Sequence, residues 1–140
     1  MARIESPPGG TLVDANVLLD LFTRDPTWMG WSGDALAEAF DTGAVIVNPI
    51  VYAEVSVGFE RVEDLEDALP AQLRREALPW QAAFLAGKCF REYRRRGGVR
   101  RSPLPDFYIG AHAAVSGRAL LTRDATRYRD LLPGLALISP

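Results

Sequence analysis

Short apolar runs alternate with stretches of helical spacing along this chain. Thr11-Leu12-Val13 and Ala44-Val45-Ile46-Val47 each end at a polar residue, which predicts buried strands over 11–14 and 44–47. Between them Val17-Leu18-Leu19-Asp20-Leu21-Phe22 reads as a helix ended near Asp25-Pro26. Residues 33–42 read as a second helix, stopped by Gly43. Asn48-Pro49 is a turn signal that opens the next helix, where Val51, Val55, Gly58 and Phe59 mark one buried face. Residues 62 to about 93 look all-helical, with Leu65, Leu69, Leu73, Leu78, Phe84 and Leu85 recurring and breaks at Pro70 and Pro79. Residues 94–103 interrupt that pattern as a loop. A small-residue helix follows over 107–116, Gly117 ends it, and residues 119–122 form a third strand. Residues 135–138 make a fourth, reached through Tyr128, Leu131 and Leu132. Strands separated by helices predict an α/β fold, a parallel sheet with helices on both faces.

Composition keeps that picture to one domain. A chain of 140 residues, 48% hydrophobic and with net charge −2, suits a single modest core and is too apolar for disorder. No repeat or low-complexity tract divides it. Residues 1–10, rich in Pro and Gly, read as a flexible lead-in, and 11–140 as the domain. The single cysteine, Cys89, allows no intrachain disulfide and is expected to be a small buried hydrophobe in a reducing compartment. No apolar run reaches the ~20 residues that span a bilayer. The N-terminus lacks a basic or apolar signal segment, so a cytoplasmic location without membrane contact is expected.

Charge is distributed unevenly. Residues 60–67 sum to −4, whereas residues 91–101, with Arg91, Arg94, Arg95, Arg96, Arg100 and Arg101 against Glu92, sum to +5. Four acids stand apart from this pattern because each follows a predicted strand or opens a helix. Asp14 closes Leu12-Val13, Glu54 lies just inside the helix after Asn48-Pro49, Asp106 follows Pro105, and Asp124 follows Leu120-Leu121-Thr122-Arg123. In a parallel sheet, ligands bind outside the carboxyl ends of the strands, and there the four acids would converge. Clustered carboxylates repel one another unless a cation neutralises them, and all-oxygen ligation suits Mg²⁺ or Mn²⁺ rather than zinc. Asp14 or Asp106 taken alone reads first as a helix N-cap; the setting of all four together reverses that in favour of the metal reading.

The segments Leu12-Val13-Asp14-Ala15-Asn16-Val17-Leu18-Leu19-Asp20, Ile46-Val47-Asn48-Pro49-Ile50-Val51-Tyr52-Ala53-Glu54, Leu104-Pro105-Asp106-Phe107-Tyr108-Ile109-Gly110-Ala111-His112-Ala113 and Leu120-Leu121-Thr122-Arg123-Asp124 together resemble the PIN-domain ribonucleases, in particular VapC-type toxins. The resemblance runs from about residue 11 to 138. It implies a PIN-like three-layer sandwich with a central, mostly parallel sheet. It implies a catalytic, metal-binding quartet of Asp14, Glu54, Asp106 and Asp124, with Asn16 and Thr122 orienting it. Asp14 and Asp106 would be direct ligands, while Glu54 and Asp124 would be ligands or hold water as general base. The implied activity is Mg²⁺-dependent cleavage of a specific transfer or ribosomal RNA, with Mn²⁺ as substitute. The implied partners are a VapB-type antitoxin and a second copy of the chain, meeting the helical region 62–93.

Other residues carry competing readings. Arg94, Arg95, Arg96, Arg100 and Arg101 offer forked donors for RNA phosphates, or are a solvated charged loop. Arg123, beside Asp124, is a candidate phosphate contact by adjacency. Tyr93 and Trp80 could stack on bases or fill a core. Asp20 and Asp130 are expected to be solvated, Asp20 pairing with Arg24 along a helix. His112, six residues past Asp106, should face away from the acids as a packing or surface residue. Phosphoryl transfer through an Asp nucleophile fits poorly. A second Asp would be wanted where Asn16 stands, and the only lysine, Lys88, is far from any strand end. A glycosidase lacks a long cleft in so small a chain. The principal alternative is a PIN-like module that binds RNA or a partner without cleaving it.

Overall fold

The computed structural model describes residues 9–101 and 104–140. The expected lead-in at 1–8 and the 102–103 portion of the expected loop lie outside the described residues. The elements run β1 (Thr11–Val13), α1 (Ala15–Phe22), α2 (Met29–Thr42), β2 (Val45–Val47), α3 (Pro49–Ser56), α4 (Val62–Ala68), β3 (Arg74–Arg75), α5 (Trp80–Arg95), α6 (Pro105–Val115), β4 (Ala119–Leu121), α7 (Thr126–Leu131) and β5 (Leu137–Ile138). The sheet order is β3-β2-β1-β4-β5 and every pairing is parallel. With helices on both faces this is the expected three-layer α/β sandwich.

The three central strands are wholly buried, which is why they read as continuous apolar runs rather than alternating ones. Leu12, Val13, Val45, Ile46, Leu120 and Leu121 join Val17, Leu18, Val51, Val55 and Ile109 from the helices in one core. A smaller cluster sits between α5 and α6, where Ala82, Ala86 and Cys89 meet Phe107 and Ala111. Cys89 is thus the buried hydrophobe expected, and burial pushes its thiol pKa up. Gly10 is also part of the sheet frame: Ala119 N–H donates to its carbonyl. A Cβ on Gly10, at φ +78°, would lie 2.6 Å from Ala44 O.

Several boundaries differ from the sequence reading, each for a local reason. The second helix starts at Met29, not 33, because Asp25 Oδ1 accepts from Thr27 and Trp28 N–H and seeds the turn. Residues 62–93 are not all helix. After α4, Leu73 begins a short extended stretch in which Arg74 and Arg75 pair with Ile46 and Val47 as an edge strand. Both arginines are exposed, so no apolar alternation announced the strand. The helix α5 then runs to Arg95, carrying Arg94 and Arg95 into what was expected to be loop. The residues before β5 form α7. Among the described residues, no helix is long and apolar enough to cross a membrane.

Candidate functional site

The chain runs outward from β1 through β2 to β3, then returns to start β4 on the other side of β1. That reversal puts the switch point of the sheet, where ligands of such folds bind, at the carboxyl ends of β1 and β4. Asp14 is held there by its own N–H, which donates to Leu121 O at 2.9 Å. Its carboxylate, 5% exposed, is densely bonded. Oδ1 accepts from Ala15 N at 2.8 Å, starting α1, and Oδ2 accepts from the Thr122 and Tyr128 hydroxyls, each at 2.9 Å. Cap and cluster member are therefore the same side chain.

Glu54 comes from the second turn of α3, whose start is fixed by Asn48 and Pro49; Asn48 Oδ1 accepts from Val51 N at 2.9 Å. Asp106 occupies the first turn of α6, behind Pro105, where the helix N-terminus favours negative charge. One carboxylate oxygen from each of Asp14, Glu54 and Asp106 lies within 4.8 Å of the other two. Burial, with Asp14 and Asp106 adding repulsion, pushes the Glu54 carboxyl up to about 7. Burial also raises the Asp14 pKa, opposed by its hydrogen bonds from Thr122, Tyr128 and Ala15, while Asp106 adds to the rise.

Glu54 Oε1 is buried without a hydrogen-bond partner among the described residues. A bare acceptor beside two further acids lacks positive charge, and a divalent cation would supply it. The donors are oxygens only, which suits a hard ion such as Mg²⁺ or Mn²⁺. The residues present therefore fit such an ion.

Three of the four expected acids come together; Asp124 does not join them. It is exposed on the loop after β4, its N–H donating to Thr122 Oγ1 at 3.1 Å and its Oδ1 accepting from Thr126 N at 3.4 Å. Thr122 links this loop to the cluster. Asn16 supports the link, with Nδ2 donating to Thr122 Oγ1 at 3.2 Å and Oδ1 accepting from Arg123 N at 3.1 Å.

The expectation for Asp20 is corrected. It is 2% exposed, and both oxygens accept from Arg123 at 2.9 Å while Ser32 Oγ donates to Oδ2 at 2.7 Å. No Asp20–Arg24 pair forms among the described residues. Arg24, at φ +50°, lies past the end of α1, beyond the run of helical turns that the pair would need. Arg123 packs over Trp28, 5.4 Å from the ring centroid, and ties the Asp124 loop to α1 and α2.

His112 is fully buried, the packing residue that was one of its two expected readings, with polar partners: Asn48 Nδ2 at 3.0 Å from Nδ1, and Glu76 Oε1 at 3.2 Å from Nε2. Burial holds its pKa below the usual histidine value, with Glu76 opposing. Arg118 pairs with the same Glu76.

The basic segment is exposed, and Arg95 and Arg96 share Glu92. A cleft of about 550 Å³ next to it is lined by Tyr93, Arg96, Gly97, Gly98, Asp124 and Thr126, among others. Tyr93 packs against Phe90 and Phe107, and Trp80 is 90% exposed. Sequence reasoning missed Tyr128 as a member of the site. Its position in the run Tyr128, Leu131, Leu132 marked it as a buried residue, and a buried phenol needs a partner.

No curated protein matches the chain at a significant level. Solved structures share its fold. VapBC2 from Rickettsia felis, bound to a DNA fragment from their promoter, contains a chain matching with TM-score 0.73 at 18% identity, over 93% of this chain and 98% of that one. A toxin–antitoxin complex from Klebsiella pneumoniae matches with TM-score 0.67 at 24% identity, covering 92% and 96%. FitAcB from Neisseria gonorrhoeae gives 0.59 at 19%, covering 91% and 96%. At such identities the likeness concerns the fold. The PIN domain model matches residues 11–130, from β1 into α7, and thereby spans every acid of the rim; the chain belongs to the PIN-domain family.

Proposed function

We propose that this protein is a Mg²⁺-dependent endoribonuclease acting as the toxin of a type II toxin–antitoxin pair, cleaving a specific transfer or ribosomal RNA and so inhibiting translation. The observation that carries this reading is the Asp14–Glu54–Asp106 cluster with its unpartnered Glu54 oxygen, at the carboxyl rim of a PIN fold. The likeness to VapBC2 from Rickettsia felis and to the toxin–antitoxin complex from Klebsiella pneumoniae supports a VapB-type antitoxin partner. A homodimer and a cytoplasmic location belong to the same reading.

Asp14, Glu54 and Asp106 would hold the ion. When bound, a divalent cation neutralises charge on the scissile phosphate and makes an adjacent water more acidic. The remaining work falls to the chain. Thr122 and the Ala15 N–H fix the Asp14 carboxylate. Asn16 and Thr122 hold the loop that presents Asp124 at the surface, where its carboxylate would accept the proton of the attacking water. Arg96, which lines a cleft together with Asp124, and the neighbouring Arg94, Arg95, Arg100 and Arg101 would neutralise flanking phosphates. Arg123, already engaged by Asp20, would reach a phosphate only with its remaining donors.

The test is incubation of total cellular RNA with purified, antitoxin-free protein in Mg²⁺, Mn²⁺ or EDTA, beside Asp14→Asn. Discrete fragments that need metal and vanish in the variant support the nuclease, and end-mapping identifies the target. Absent cleavage, with both proteins binding RNA equally, would make the domain a binding module instead.

A further inference from the structure

We propose that Tyr128 is a positioning residue of the acidic centre, whose hydroxyl fills the second acceptor direction of Asp14 Oδ2 and leaves Oδ1 as the oxygen turned to the cation. The inference rests on the metal-site reading above.

Tyr128 is 3% exposed on α7, and its hydroxyl meets a carboxylate 114 residues earlier in the chain rather than solvent or a nearby carbonyl. The ring reaches that place because α6 has no side chain in its way. A Cβ on Gly110 would lie 2.7 Å from Leu132 Cδ1 and 2.9 Å from Tyr128 Cδ1. Gly110 is one turn past Asp106, so the phenol is seated against the helix that carries one acid and bonds to another.

A carboxylate offers about four acceptor directions, two on each oxygen. On Asp14, Thr122 and Tyr128 take both directions of Oδ2, while Ala15 N–H takes one of Oδ1. The Thr122 oxygen accepts from Asn16 Nδ2 and from Asp124 N, and its own proton has Asp14 Oδ2 at 2.9 Å as the nearer acceptor, with Asp124 O at 3.3 Å. Removing the phenolic hydroxyl would reopen Oδ2 and let the carboxylate present either oxygen.

The experiment is a Mn²⁺ titration of the full-length protein without RNA, comparing wild type, Tyr128→Phe, Asp14→Asn and Leu65→Ala. Tyr128→Phe keeps the ring; Leu65→Ala loses stability through α4 and shows how far instability alone moves affinity. The expected result is a Mn²⁺ dissociation constant about tenfold higher in Tyr128→Phe and no binding at this site in Asp14→Asn. The Mn²⁺ needed for half-maximal cleavage should move by the same factor, with KM for RNA at saturating Mn²⁺ unchanged. A folded Tyr128→Phe protein with wild-type Mn²⁺ affinity, whether or not its Tm drops, would overturn the proposal while leaving the metal site standing. Equal binding by wild type and Asp14→Asn would instead remove the metal-site reading itself, and the proposal with it.

Discussion

A carboxyl group that titrates near 7 links folding to metal binding, and Glu54 is that group. Its pKa in the folded, metal-free protein is raised above the ordinary carboxyl value, so between about pH 4.5 and 7 the native state holds more proton than the unfolded chain. Stability from this residue is therefore fully present below the unfolded pKa and lost as pH rises through about 7. In EDTA, thermal melts should show Glu54→Gln gaining on wild type as pH climbs from 5 to 8, since the amide never has to ionise. Equal pH profiles for the two proteins would remove Glu54 as the source. Proton and cation compete for the same oxygens, so Mn²⁺ affinity should rise up to about pH 7 and then level. Asp14→Asn addresses the centre more directly. It should weaken Mn²⁺ binding beyond the roughly 10–100-fold that loss of a ligand's hydrogen-bond partner costs. The variant should stay folded in EDTA, because relief of charge repulsion offsets part of what is lost when an amide nitrogen replaces an oxygen that accepts from Thr122 and Tyr128. Retained metal-dependent cleavage in Asp14→Asn would end the assignment.

Elements were legible where burial was uniform and obscure where it was not. The strands β1, β2 and β4 show as apolar runs because both faces are covered, and Asp14 and Asp124 can be placed just after two of them from the sequence. The two-residue β3 could not, since Arg74 and Arg75 lie exposed at an edge and join the sheet only through backbone bonds to β2. Asp20 shows the same limit for a side chain. Four residues before Arg24 on an apparent helix, it looked solvated, yet its true partner lies 103 residues away, a distance local spacing cannot reveal. Asp124 was rightly placed after a strand, but its separation from the other three acids depends on the turn after Thr122. Stability measurements separate the two Asp20 readings. Asp20→Ala should cost about 3 kcal/mol, because Ser32 and Arg123 lose a buried anionic partner, whereas Arg24→Ala should stay within about 0.5 kcal/mol. The check is urea unfolding of both. A small effect for Asp20→Ala would mean that the Arg123 tie contributes little to holding α1, α2 and the Asp124 loop together.

Across the whole molecule, charge is sorted into three zones: an acidic α4, the acidic rim and an arginine-rich end of α5. A polyanion approaching three clustered carboxylates is repelled unless cations stand close by, and on the proposed reading Arg96, which lines the cleft with Asp124, and the exposed arginines around it would provide that attraction. Surface arginines of this kind contribute through release of counterions, so their effect is read best as a salt dependence rather than a single affinity. With Asp14→Asn protein, which should bind RNA without cutting it, log Kd against log salt should slope in proportion to the phosphates contacted. Each lost contact to single-stranded RNA should flatten that slope by about 0.7. Replacing Arg100 and Arg101 together by Ala should therefore flatten it by about 1.4 if both touch phosphate. Arg61→Ala, in the acidic stretch beside Glu63, should leave the slope unchanged. Equal slopes for all three proteins would reduce the arginine segment to a solvated loop and send the search for the RNA path to the other walls of the rim.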